Sequence, residues 1–342
     1  MKSFCNKYFN PAFSHIYVEK EVKSLPRTRR ILEKFPHAVI VEIEHYKDVF
    51  CRSGQNYGLQ HRAQNLILAA KHGELIYKGA PVCQSFGREH FYYTSCMMNC
   101  VYDCEYCYLK GMYPSGNVVV FVNIEDIFEE ADRILREHDV YLCVSYDTDI
   151  MAMENLTGYT REWIEFAGKR KNLTIEIRTK CANYKLMKEL PVLENVIFAF
   201  TVSPQAVIDE QEHGTPSLLS RISCAKEAVD RGMQVRLCFD PMIYCRDWKT
   251  HYEAMLSQVT GEIELEKLVD VSVGSFRVSQ DYLKKMRKNN PQSAVVWFPF
   301  ENDAGVYHYP GELMEEMEQY LTGELERRIG REKIFRWTDN EA

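Results

Sequence analysis

The sequence predicts an α/β protein: a partial (β/α)6 TIM-like barrel with an N-terminal α/β subdomain and a C-terminal hairpin and helix extension. Three observations carry this. From residue 91 onward, strand-like runs alternate six times with helix-like runs. Such alternation specifies a parallel sheet with right-handed crossovers, which closes fully with eight units and stays open with six. The first 90 residues do not keep that rhythm. A chain of 342 residues has room for about two domains, or for one large barrel with additions.

The elements follow in order. IYVEKEV, TRRILEKF and AVIVEIE form an αβ-like piece, placed in a subdomain over 1–90. FYYTS (91–95) opens the barrel, assigned to 91–292. NIEDIFEEADRILREH (123–138) is an amphipathic helix, with Ile124, Ile127, Phe128, Ala131, Ile134 and Leu135 on one face. VYLCVSY (140–146), LTIEIRT (173–179), VIFAFTV (196–202), MQVRLCFD (233–240) and VDVSVGSF (269–276) are the remaining strands. Helices are expected at 160–170, 183–190, 216–231 and from about 247, with Gly232 as a C-cap. The tail, 293–342, offers VVWFPF, a turn at Asn302-Asp303-Ala304-Gly305 and VYHY as a hairpin, then a helix at 311–328. Reactive groups belong at the C-terminal ends of the strands.

Composition narrows the class. Hydrophobic residues at 46% and charged residues at 27% exclude a disordered, collagenous or coiled-coil chain. No apolar run approaches the roughly 20 residues of a membrane helix, and MKSFCNKYFNPAFSH has no apolar core of signal-peptide length. The net charge of −7 argues against broad electrostatic binding to nucleic acid but leaves room for a local basic patch. Twelve cysteines in an untargeted chain point to a reducing, cytoplasmic compartment, with metal or redox chemistry for some and packing for the rest.

The decisive segment is Cys100-Val101-Tyr102-Asp103-Cys104-Glu105-Tyr106-Cys107-Tyr108, in the loop after the first barrel strand. Three thiolates on one tight loop suit three irons of a 4Fe–4S cluster, one each. The fourth iron stays open to a small molecule, such as the amine and carboxylate of S-adenosylmethionine (AdoMet). The plainer alternative is structural zinc, which wants four ligands, usually as two spaced pairs, with Cys96 as a possible fourth.

On these residues the chain resembles the radical AdoMet superfamily, whose hallmark is C-x-x-x-C-x-x-C in this loop of a partial barrel. More narrowly it resembles the spore photoproduct lyase family, through NCVYDCEYCYL, VVVFVNIEDIF, SYDTDI, TIEIRTK, FAFTVSP, EHGTPSLLSR and FDPMIY. The resemblance implies repair of a methylene-bridged thymine dimer in ultraviolet-damaged spore DNA. A 5′-deoxyadenosyl radical takes hydrogen from C6 of the lesion, the inter-thymine bond breaks by β-scission, and a protein hydrogen donor quenches the thymine methyl radical. Cys100, Cys104 and Cys107 match the cluster ligands. Tyr106 matches a tyrosine near the cofactor, and Tyr108 the second tyrosine of the radical return pathway. Thr148, Lys180 and Thr201 fall where the family contacts the methionine or ribose portion, and their strand-end positions suit that role.

One departure stands out. Where the best-known branch has its donor cysteine, this chain has Tyr146. Cys83, in the loop GAPVCQSFG, is the favoured replacement donor, followed by Tyr146 itself; Cys96 and Cys143 are read as too close to the cluster and as core. Cys5, Cys51, Cys181, Cys224, Cys238 and Cys245 are read as buried packing residues.

The implied partners are double-stranded DNA with a flipped thymine dimer, and a reducing protein such as ferredoxin or flavodoxin, in the spore core and without a membrane. Phosphate contacts are sought at Arg27, Arg29, Arg30, Arg277 and the run Lys284-Lys285-Met286-Arg287-Lys288. A DNA wedge is sought in Trp297, Phe298, Tyr307 and Tyr309. The competing readings are a radical enzyme of the same superfamily acting on a peptide or RNA base, and a zinc-binding module.

Overall fold

The computed structural model describes residues 13–79 and 84–336; Cys5 and Cys83 lie outside them. The N-terminal strands are β1 (His15–Glu19), β2 (Val39–Ile43), β3 (Leu66–Ala69) and β4 (Ile76–Lys78). Next come β5 (Phe91–Thr94), β6 (Met97–Met98), β7 (Asp103–Cys104), β8 (Val118–Phe121), β9 (Val140–Cys143), β10 (Leu173–Thr179), β11 (Val196–Thr201), β12 (Glu212–His213), β13 (Gln234–Met242) and β14 (Asp270–Ser275). The tail adds β15 (Arg277–Ser279), β16 (Glu301–Asp303), β17 (Val306–His308) and β18 (Ile334–Arg336).

Two sheets make the frame. The larger runs β18-β14-β13-β11-β10-β9-β5-β4. Its six inner strands are parallel and coincide with the six predicted ones. Its edges, β4 and β18, do not meet, so the barrel is open. The smaller sheet runs β2-β1-β3-β8-β6 and takes VVVF, between cluster loop and first long helix, beside β3. β11 is buried at all six positions, as a strand covered on both faces requires. The helix Ile124–Leu135 buries Ile124, Ile127, Ala131, Ile134 and Leu135, while Phe128 stacks on Phe166 at 4.3 Å. The helix Leu218–Asp230 ends at Gly232, whose φ of +80° favours glycine. Among the described residues no helix is long and apolar enough to cross a membrane.

The structure corrects several expectations. VVWFPF is not a strand: the hairpin is β16–β17, three residues in each arm, joined by β15 into a small antiparallel sheet. Phe298, Phe300 and Tyr309 pack instead against one another and around Tyr244 and Phe276. Tyr309, at 1% exposure, is not free to wedge into DNA, and Phe298 is half-buried against the same core. Arg27 is held by Glu125, Glu162 and the Val122 carbonyl rather than offered to a phosphate. Cys51 is exposed, not buried. Strand β18 adds a parallel partner to β14 that the sequence did not announce.

Candidate active site

The cysteine loop leaves the C-terminal end of β5 and is clamped from both sides. Asn99 takes a left-handed turn (φ +66°) just before Cys100, and its side-chain amide donates to the carbonyls of Ser115 (2.6 Å) and Asn117 (2.7 Å). The Cys100 carbonyl accepts from Gln64 Nε2 at 3.0 Å and lies 3.2 Å from His61 Nε2. Cys104 pairs with Glu212 and Asp103 with His213, tying the loop to the segment beyond β11. Behind the loop, Lys110 forms a 2.6 Å ion pair with Asp103.

Burial pushes the Cys104 thiol up to about 12 and raises Cys100 and Cys107 as well. The charges of Cys104 and Cys107 each raise Cys100 further, so the three sulfurs sit within electrostatic reach of one another. Thiols in such a place stay protonated at neutral pH unless a cationic group compensates their charge. The Tyr102 N–H, 3.4 Å from Cys100 Sγ, already points at where that negative charge will be. Among the described residues, no three His, Cys, Asp or Glu side chains are grouped to hold a single metal ion. A cubane asks instead for one thiolate per iron, which this donor set supplies.

Around the loop, Tyr106 is buried and donates its phenol to Glu212, with Lys180 Nζ 5.4 Å from its ring centre. Glu212 also accepts from Ser203 Oγ (2.8 Å) and from Arg221, itself fully buried. Arg221 also reaches the Thr201 carbonyl at 3.2 Å, so one guanidinium spans the C-terminal end of β11 and the Glu212 turn. Burial opposes the charge on Lys180, but Cys104 and Glu212 outweigh it and raise its pKa. Asp149 holds the backbone beneath: it accepts from the Lys180 N–H (2.8 Å) and from Thr179 Oγ1 (2.8 Å). Thr148 is buried and its Oγ1 has no hydrogen-bond partner in the protein.

A row of tyrosines leaves the loop on its other side. Tyr108 donates to the Tyr146 carbonyl at 2.6 Å. The Tyr146 ring lies 6.1 Å from Tyr108 and stacks on Tyr93 at 4.2 Å, and Tyr93 stacks on Tyr77 at 5.2 Å. Beside them Asp147 accepts from Ser95, and Lys71 donates to the Ser95 carbonyl at 3.0 Å, with burial lowering its pKa to about 8.

The model of the family described as spore photoproduct lyase matches residues 88–299, which include the cysteine loop and all six inner strands. The chain belongs to the spore photoproduct lyase family. Among curated members, the spore photoproduct lyase of Clostridium acetobutylicum is 22% identical over 337 residues, 92% of this chain and 95% of its own. That of Bacillus subtilis (strain 168) is 21% identical over 289 residues, 82% and 83% of the two chains. A solved spore photoproduct lyase mutant superposes with a TM-score of 0.81 at 20% identity, covering 95% of this chain and 98% of that one. Another, with bound AdoMet and dinucleoside spore photoproduct, gives 0.80 at 20% identity, with the same coverage. At that identity the superpositions establish the fold.

Within this family member the geometry gathers most of the sequence's candidates. Cys104, Tyr106 and Lys180 meet, with Cys100 and Cys107 on the same loop. Thr201 joins through Arg221, and Tyr108 meets Tyr146 separately. Cys83 lies outside the described residues. Sequence reasoning assigned no role to Glu212, Arg221 or Asp149. The signal available was weak: a carboxylate and an arginine nine positions apart in EHGTPSLLSR, on segments that otherwise read as loop and helix.

Proposed function

We infer that this chain is a radical AdoMet lyase that returns the methylene-bridged thymine dimer of damaged DNA to two thymines. The observation that carries this is the thiol triad Cys100, Cys104 and Cys107 at the C-terminal mouth of the barrel, beside the buried Tyr106–Glu212–Arg221 chain. The triad is assigned to three irons of a 4Fe–4S cluster. A cluster held by these three thiolates, with AdoMet bound, would supply a 5′-deoxyadenosyl radical.

The chain's own part is placement. Glu212 fixes Tyr106 by accepting a hydrogen bond from its phenol, and Asp149 fixes the Lys180 backbone. Lys180, Thr148 and Thr201 are assigned to the methionine or ribose portion; the unpartnered Thr148 hydroxyl supports this, because a buried hydroxyl without a partner costs stability until a polar ligand meets it. Cys83 is assigned as hydrogen donor, with Tyr146 as the next candidate. The donor gives one hydrogen atom to the thymine methyl radical and regains one from the Tyr108 phenol; the phenoxyl radical so left on Tyr108 would be quenched by a hydrogen atom from 5′-deoxyadenosine, the product of the first abstraction. The lesion reaches the site flipped out of the duplex. Electrons come from a reducing protein such as ferredoxin or flavodoxin, and the protein works in the spore core.

The test is anaerobic reconstitution, then incubation with AdoMet, dithionite and a dinucleotide spore photoproduct. Restored thymine is expected. An untouched lesion in a preparation that still cleaves AdoMet overturns the reading. In the same assay Cys83→Ala should raise side products of the unquenched thymine radical; an unchanged product distribution removes Cys83 as donor.

A further inference from the structure

A pocket of about 420 Å³ lies between the helix Gln280–Asn289 and the tail, and none of its lining residues belongs to the site above. Leu283 is its buried apolar base. Trp297, 54% exposed, and Tyr307 are its aromatic walls, and Lys284 and Lys288 stand on its rim. Arg287 lies between the aromatics, its guanidinium 5.0 Å from the Trp297 ring centre and 5.9 Å from that of Tyr307. A 2.7 Å hydrogen bond from Nε to the Val296 carbonyl fixes that guanidinium.

Two features define the occupant. The first is charge. The chain carries a net charge of −7, yet Lys284, Lys285, Arg287 and Lys288 crowd one helix and have no ion-pair partner among the described residues. Lys284 and Lys288, four apart, share a helix face. The second is shape: a large exposed indole beside a fixed guanidinium is a stacking platform, open to any flat π-system. An anionic polymer that also presents flat rings satisfies both. The hairpin arm β16 does not compete for it, since Glu301, Asn302 and Asp303 are exposed there and two of them repel phosphate. The pocket is also in register with the chemistry. Its helix packs on the helix that follows Cys107, where Asn289 Nδ2 donates to the Lys110 carbonyl at 2.8 Å.

We propose that this pocket takes an unpaired nucleotide of the lesion-bearing DNA, its base stacked on Trp297 and its phosphates held by Lys284 and Lys288. Flipping a dimer out of a duplex leaves the two nucleotides opposite the lesion unpaired. The inference rests on the DNA-repair reading, and the experiment below lets the two fail separately.

Binding of a labelled, undamaged single-stranded oligonucleotide to reconstituted holoenzyme is followed by fluorescence anisotropy. Trp297→Ala should weaken it about tenfold, and Trp297→Phe should restore most of the loss. Lys284→Ala with Lys288→Ala should lower the slope of log affinity against log salt by about 1.4. Each variant is compared at a thermal midpoint equal to that of the unmodified protein. Unchanged affinity and slope overturn the proposal. So does a lysine variant that binds the oligonucleotide normally but is reduced slowly by flavodoxin, which would give the face to an acidic protein. Turnover of a dinucleotide lesion by the unmodified enzyme runs in parallel. If it fails while Trp297→Ala still weakens oligonucleotide binding, the pocket stands and the repair reading falls.

Discussion

Glu212 is the single residue on which the order of the site most depends. It joins a tyrosine of the cysteine loop, a serine beyond β11 and a buried arginine. Burial alone would raise its pKa, but Arg221, Lys180 and the Tyr106 phenol outweigh burial and hold it at about 2. The folded value therefore lies below the ordinary 4.5 of the unfolded chain. Its contribution is fully present above pH 4.5, at about 3 kcal/mol, and is lost as pH falls from 4.5 toward 2. Glu212→Gln keeps the shape and removes the charge, leaving Arg221 buried without its anion at a cost of about 3–5 kcal/mol. Urea unfolding at pH 7 and pH 3 checks this: the gap between variant and unmodified protein should narrow at pH 3. The contrast with the cysteines shows what a sequence reveals of a site. Cys100, Cys104 and Cys107 are legible because their relation is local, three donors within eight residues. Glu212 and Arg221 become partners only when a turn and a helix fold back, and no spacing rule anticipates that.

Between elements, one close backbone fit lies behind the cysteine loop. The short helix Leu109–Met112 meets Gln280–Asn289 at Gly111, where a Cβ would stand 2.5 Å from the Tyr282 carbonyl oxygen and 2.6 Å from its Cα. Both are backbone atoms, so the helices would have to part. Gly111→Ala should cost about 1–3 kcal/mol and displace the residues just after Cys107. The expected outcome is a lower iron-to-protein ratio after reconstitution together with a lower thermal midpoint; full iron loading would show that the contact does not shape the loop. The same scale separates the legible parts of the fold from the rest. All six inner strands and five of the helices between them were readable, because buried parallel strands are continuous apolar runs and their helices keep a 3.6-residue period; the helices Gln205–Gln211 and Gln280–Asn289 were not. Nor were most of the three-residue strands. VYHY reads as a hairpin arm and β17 is one, but β15, β16 and β18 are too short to show a period, and VVWFPF reads as a strand although Phe298 and Phe300 pack in an irregular segment. The same packing buries Tyr309, half-buries Phe298 and Tyr307 and leaves Trp297 exposed.

Across the whole molecule, chemistry and stability occupy opposite ends of the barrel. The cysteines, Lys180 and Thr201 sit at the C-terminal ends of the strands. Toward the other end, Arg236 of β13 is 1% exposed and binds Glu176 of β10, Asp270 of β14 and the Tyr141 hydroxyl of β9 (2.7 Å). One side chain thus joins four of the six parallel strands. Its guanidinium lies 3.2 Å from the Phe86 ring centre, and Phe86 meets Phe335 of β18 at 5.3 Å, which closes the barrel floor. Conserving the open barrel's curvature depends on this cross-brace, because its edges have no ladder of hydrogen bonds to join them. Arg236→Met leaves Glu176 and Asp270 buried without their shared cation, a loss of at least about 3–5 kcal/mol. Burial tends to raise Glu176, and at present Arg178 and Arg236 overcome it and hold its pKa below the ordinary value. Without Arg236 that balance shifts upward. The carboxylate's contribution is present above the ordinary value and lost as pH falls below it, and the variant has less of it to lose, so its deficit should be larger at pH 7 than at pH 3. Urea midpoints at the two pH values test this. Iron content per folded chain should equal that of the unmodified protein, since none of the residues around the cysteines touches Arg236; a fall in iron content would mean that the barrel floor and its mouth are mechanically coupled.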